Sequence, residues 1–89
     1  MPYALIASRR SGTAESLAAL LSVSHDVRLL TDGEALLREA QELSPEVIVL
    51  HEDLEGPLRA AEVAARLTLR PELRATWVVA VGPREAAGG

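Results

Sequence analysis

Cysteine, lysine, asparagine and phenylalanine are absent from this chain of 89 residues, and Tyr3 and Trp77 are its only aromatic side chains. The lack of cysteine rules out a disulfide framework or a thiolate metal site as a staple for the fold. The lack of phenylalanine means that a chain 48% apolar must build its core from alanine, leucine and valine, a core short of large anchors. Long hydrophobic runs are missing too: nothing approaches the roughly 18 apolar residues of a membrane span. No basic stretch followed by an apolar one opens the chain in the manner of a secretory signal, so a soluble, cytoplasmic protein with no membrane partner is expected. All nine positive residues are arginine, interspersed with 13 acids for a net charge of −4. Mixed charge of that balance leaves no basic stripe, which argues against nucleic-acid binding by this domain alone. The bias to Ala, Arg, Leu and Glu reads as the codon composition of a GC-rich genome.

A chain of this length holds one domain at most and buries only about 60 to 65% of the surface its unfolded form exposes. Tyr3 to Ala7 is a short apolar run, and Ser8-Arg9-Arg10-Ser11-Gly12-Thr13 after it is turn and helix-cap chemistry. From Thr13, Leu17, Leu20 and Leu21 recur at helical spacing, with Glu15 expected in the first turn and the helix running to about Val23. His25 to Leu30 reads as a second strand, Thr31-Asp32-Gly33 as the turn that caps the next helix, and Ala35, Leu36, Leu37, Ala40 and Leu43 as its apolar stripe. Glu39, Glu42 and Arg38 are expected to face water, and Ser44-Pro45 ends the helix.

Val47-Ile48-Val49-Leu50, opened by Pro45 and closed by His51-Glu52-Asp53 and Gly56-Pro57, is the pattern of a buried central strand whose carboxyl end faces a site. Leu58, Ala61, Ala64, Ala65, Leu67 and Leu69 continue as a third helical stripe until Pro71-Glu72-Leu73 breaks it, and Trp77 to Val81 is an unbroken apolar strand. The order β-α-β-α-β-α-β with short connections predicts an α/β domain over residues 1–84, three-layered, with helices on both faces of a parallel sheet. A flexible tail is expected over 85–89.

Three clusters carry chemistry worth weighing. His51, Glu52, Asp53 and Glu55 have the ligand types to bind a cation or to carry phosphate on the imidazole; the plain alternative is a polar loop of solvated acids. Arg9, Arg10, Ser11, Gly12 and Thr13 lie between a strand and a helix start, where free N–H groups favour an anion. They are loosely similar to a flavodoxin phosphate loop, although two aromatics cannot wall a flavin; the alternative is a helix cap with solvated arginines. Arg59, Arg66, Arg70 and Arg74 fall on the third helix and the turn after it, as a solvated face or as the contact for an acidic partner. No Ser-His-Asp or Cys-His arrangement can be placed, so no enzymatic activity and no cofactor are expected.

From Ala4 to Pro83 the chain resembles the receiver domain of bacterial two-component response regulators. Ala4-Leu5-Ile6-Ala7 as first strand, Asp32-Gly33-Glu34-Ala35-Leu36 opening the second helix and Pro45-Glu46 leading the third strand carry the resemblance. It implies a flavodoxin- or receiver-like sheet of order 2-1-3-4. It also implies a site with a Mg²⁺-holding acidic pair, a phosphoacceptor Asp, a Ser or Thr, and a Lys. The matching positions here read Ser8 and Arg9 for the pair, His51 for the acceptor and Gly82 for the hydroxyl residue, and there is no lysine. Arginine puts a cation where the metal should sit, so the resemblance implies a degenerate pseudo-receiver that works without phosphorylation.

Receivers continue with a fourth helix, a fifth strand and a fifth helix, so this chain looks truncated after its fourth strand. Trp77-Val78-Val79-Ala80-Val81 then becomes an apolar edge with no charge or proline to block pairing, and one face of strands one and three is expected to be under-covered. The expectation is a non-catalytic interaction or dimerisation module in bacterial signalling, with Trp77, Val78, Val79 and Val81 at the contact and itself or another signalling protein as partner. The other reading is a sensor of a phosphate- or nucleotide-bearing small ligand at Ser8 to Thr13 beside His51. The chain also reads as the possible N-terminal module of a longer regulator.

Overall fold

Ser44 takes a left-handed backbone (φ 45°) and donates its N–H to the Ala40 carbonyl, and the fully buried Pro45 that follows cannot continue a helix. The chain is thereby turned into the strand on which the sheet is centred. The computed structural model describes residues 1–73 and 75–81; the expectations for Arg74, Gly82 and the 85–89 tail lie outside the described residues. The elements are β1 (Tyr3–Ala7), α1 (Ser11–Leu21), β2 (Asp26–Leu30), α2 (Gly33–Leu43), β3 (Val47–His51), α3 (Ala60–Thr68), a 3-10 turn (Pro71–Leu73) and β4 (Trp77–Val81). All strand pairs are parallel and the order is β2-β1-β3-β4, the three-layer α/β arrangement expected.

Alternation along β1 and β3 divides the core in two. Leu5, Ala7, Ile48 and Leu50 face Leu36, Leu37 and Ala40 of α2 and Val63 and Leu67 of α3, and this larger half also holds Leu73. Ile6 and Val49 face Ala14 of α1, with Leu17, Ala18, Leu21 and Val81 packed around them. The under-covering expected for strands one and three does not occur: Ala4 and Ile6 are fully buried and Val49 nearly so, because α1 packs across that face. The outermost strand is exposed, as expected of an edge. Trp77 is 73% exposed, Val79 47% and Val78 40%.

The two edges differ. β2 carries Asp26 and Arg28, both exposed; Arg28 pairs with Glu39 at 3.8 Å and lies over the Tyr3 ring at 5.7 Å. Glu39 is therefore half-buried rather than facing water. β4 has no charged residue, and among the described residues nothing pairs with its outer side.

Helix boundaries depart from the sequence expectation for local reasons. α1 starts at Ser11 because Ser8 Oγ accepts the Arg10 N–H at 2.9 Å and tightens the turn early, which moves Glu15 out of the first turn. α3 starts at Ala60 because the Glu62 carboxylate accepts the Arg59 N–H at 3.0 Å. Leu58, Ala64 and Leu67 of the expected stripe pack on the core together with Val63, while Ala61, Ala65 and Leu69 are exposed. α2 is capped as expected, Asp32 Oδ1 accepting the Ala35 N–H at 2.7 Å.

Gly33 is where α2 and α3 meet. A methyl group there would overlap Val63 Cγ2 and lie 3.1 Å from Leu58 Cβ. Overpacking of this kind costs about 1 to 3 kcal/mol, so Gly33→Ala should lower the urea midpoint at an unchanged slope, measured by circular dichroism.

Candidate functional site

Parallel strands deliver their carboxyl ends to one rim of the sheet. The register aligns Ala7 with Leu50, so the next residues, Ser8 and His51, stand side by side at that rim. Both are buried, at 3% and 7% exposure. Ser8 donates its N–H to Leu30 O at the end of β2, at 2.9 Å, and its hydroxyl is spent on the Arg10 backbone. The β3–α3 loop is tied in from two sides: Arg9 N–H donates to Asp53 O at 2.8 Å and Glu55 N–H to Thr31 O at 2.8 Å. Gly56, at φ 84°, supplies the left-handed turn that lets the loop return to α3.

Asp53 is the hub of the site. Its carboxylate faces Arg9 Nε at 3.4 Å and Arg10 Nε at 3.0 Å, while its own backbone N–H donates to His51 Nδ1 at 3.0 Å. One half-buried anion thus holds two guanidinium groups and stitches the β1–α1 loop to the β3–α3 loop. The arginine side chains are more than half exposed, so each pair contributes at most about 1 kcal/mol; the larger effect is to fix the loops.

The His51 contact sets what the ring can do. A backbone N–H can only donate, so Nδ1 is the acceptor and the neutral ring carries its proton on Nε2. Neither nitrogen then offers a free lone pair to a metal ion or to phosphorus. The ring is buried; of the neighbouring acids, Glu52 and Glu55 are exposed, as in the polar-loop reading, and Asp53 is engaged. A receiver's Mg²⁺ does not fit the residues present: Ser8 has no spare oxygen, Arg9 is a cation, and the one carboxylate at hand is neutralised twice. Among the described residues no group of three or more His, Cys, Asp or Glu is placed to hold a metal ion.

The structure gathers Ser8, Arg9, Arg10 and His51 as the sequence suggested, with Gly82 outside the described residues. Ser11, Gly12 and Thr13 are not a separate loop but the first turn of α1, and Arg9 and Arg10 are committed to Asp53 rather than turned toward an incoming anion. Asp53 is the residue that sequence reasoning placed only as one acid of a run; its arginine partners lie more than forty positions away, and only the strand register brings them together. Arg59 is the residue before α3, Arg66 is in its last turn, and Arg70 lies beyond it with a hydrogen bond to Gln41 Oε1 at 3.3 Å.

A second feature lies on the other side of β4. A groove of about 420 Å³ runs between α3 and β4, floored by Leu50, Ala80 and Val81 and walled by Ala60, Ala61 and Ala64. Of the expected contact residues, Trp77, Val78 and Val79 are exposed and Val81 is half-buried against the Ile6–Val49 cluster. Among the described residues, no helix is long and apolar enough to cross a membrane.

No family model matches the chain and no curated protein matches it in sequence. Among solved structures it is similar to the signal receiver domain of a modulated diguanylate cyclase from Desulfovibrio desulfuricans G20, described as an example of alternate folding. The TM-score is 0.79 with 26% identity, covering 99% of this chain and 70% of that one.

Removing the hub tests its electrostatic share. Asp53→Ala should lower stability by about 0.5 to 1 kcal/mol in low salt. The difference from wild type should shrink in molar salt, where exposed pairs are screened; paired urea titrations at the two ionic strengths measure it.

Proposed function

Taking the chain as a receiver-like domain, we propose that it is a non-catalytic module of a bacterial, cytoplasmic signalling system that needs no phosphorylation and assembles through its β4 edge. The observation that carries this reading is the exposure of Trp77, Val78 and Val79 on an outer strand with neither charge nor proline. Unblocked apolar edges of this kind template pairing with another chain, and aromatic and β-branched side chains there supply contact energy. Independence from phosphorylation is supported by the site. The acceptor position is His51, the metal positions are Ser8 and Arg9, and the Asp53 carboxylate is already balanced by two arginines. What a receiver gains from an added phosphoryl group and its counter-ion has no place to form here. The small-ligand reading loses support from the same contacts, which occupy Arg9 and Arg10.

Light scattering over a concentration series should show a monomer–dimer equilibrium, and Val79→Lys should shift it to monomer with circular dichroism unchanged. An unaltered mass for Val79→Lys would overturn assembly through this edge. For the site, His51→Asp alone should take no phosphoryl group from acetyl phosphate with Mg²⁺, because Ser8 and Arg9 still deny the metal its ligands. Intact-protein mass reads the outcome, and a phosphorylated His51→Asp protein would contradict the proposed independence.

A further inference from the structure

The hydrogen bonds between β3 and β4 determine what the open side of β4 has to offer. Trp77 donates its N–H to Glu46 O at 2.8 Å and Val81 O accepts the Glu52 N–H at 2.8 Å. In an extended strand the N–H and C=O of one residue point to the same side and alternate with those of the next. Residues 77, 79 and 81 therefore spend their backbone groups on β3, and the outward set within the strand is the N–H and C=O of Val78 and of Ala80. The preceding N–H, of Thr76, is already used on Leu73 O at 3.0 Å.

Resting on the edge-assembly reading above, we infer that two copies of this chain join β4 to β4 in antiparallel sense, across a two-fold axis that passes beside Val79. In that register Val78 lies opposite Ala80 of the second copy, and Ala80 opposite its Val78. Each of these is a hydrogen-bonded pair that exchanges two bonds, so all four outward groups of one strand are satisfied by the four of the other. A register centred on Val78 would set Ala80 against Thr76, whose N–H is taken. One centred on Ala80 would carry the pairing beyond the strand. The Val79-centred register is the one that closes the set inside Trp77–Val81.

The side chains favour the same arrangement. Residues 77, 79 and 81 share the α1 side of the sheet, where Val81 packs on the Ile6–Val49 cluster. Pairing about Val79 puts Val79 against its own copy and, on either side, Trp77 across from Val81, an aromatic–β-branched pair of the kind that stabilises antiparallel sheets. The strand is uncharged, so a second copy can lie against it with no like charges opposed. Two five-residue strands make a seam at the small end of specific interfaces, below about 1,200 Å², so the dimer should be reversible and concentration-dependent.

The absence of cysteine from the chain allows a direct test. In a non-hydrogen-bonded antiparallel pair the Cα atoms lie about 4.5 Å apart, within the roughly 4.4 to 6.8 Å that a cystine spans. Full-length Val79→Cys, Val78→Cys and Ala80→Cys are oxidised mildly at dimer-forming concentration, with Ser16→Cys, on α1, as the collisional control. Val79→Cys should form the disulfide-linked dimer at least about tenfold faster than the others, as expected when one pair is held at high effective concentration. If the wild type dimerises but Val78→Cys or Ala80→Cys cross-links fastest, the register is wrong while edge assembly stands. If the wild type dimerises and all three strand variants cross-link at the control rate, the contact lies away from β4 and both readings fall. A wild type that stays monomeric at every concentration, with no cross-link above control, overturns the self-pairing.

Discussion

Everything in this molecule that bears on function depends on the parallel pairing of β1 with β3. Aligning Ala7 with Leu50 places Ser8 beside His51 and lets two loops that are far apart in sequence share one carboxylate. The same pairing sets the alternation that sends Leu5 and Ile48 to one helical layer and Ile6 and Val49 to the other. A slip of one residue would reverse every side chain across the sheet, and the core and the rim would be lost together. A sheet of this kind has little tolerance for rearrangement, which is why its rim can hold a charged cluster in a fixed geometry with only surface-strength ion pairs.

At that rim the chemistry is the inverse of what the resemblance implies. A receiver collects negative charge so that a divalent cation and a phosphoryl group can be added; here the cations are covalent parts of the chain and the anion is one of its own side chains. Ser8, Arg9 and His51 are not merely missing ligands. Each makes a bond that the loops use, through the Arg10 backbone, the Asp53 carboxylate and the Asp53 N–H respectively. The polar groups here are satisfied within the protein, and no buried side-chain polar atom among the described residues is left without a partner.

Much of the architecture was legible in the sequence because its signals are local. The Val47–Leu50 run, the Asp32-Gly33 cap and the Ser44-Pro45 stop are read from a few neighbouring residues, and all three hold. The α3 stripe is legible in part: Leu58, Ala64 and Leu67 face the core as the sequence suggests, while the Arg59–Glu62 bond and the close approach at Gly33 also bring in Val63 and leave Ala61, Ala65 and Leu69 outside. The exposed β4 edge is legible in the sequence and holds; the under-covering also expected on strands one and three does not occur, since the reach of α1 depends on tertiary packing and is not written in its periodicity. Asp53 was hidden for a related reason. Its partners are set by strand register, and in sequence it is one acid among several.

The two edges of the sheet are unlike, and this bears on how far any growth through β4 could go. β2 presents Asp26 and Arg28, with Arg28 held by Glu39 and the Tyr3 ring, and charged side chains on an edge discourage further strands. Among the described residues the sheet thus has one open, uncharged margin and one guarded by charge. Head-to-tail stacking, which needs two complementary margins and yields fibres when it does not close, is denied its second surface. If β4 pairs as proposed, that contact uses the open margin of both chains and the assembly stops at two, so a strand that would be an aggregation hazard on a symmetric sheet would become a terminus.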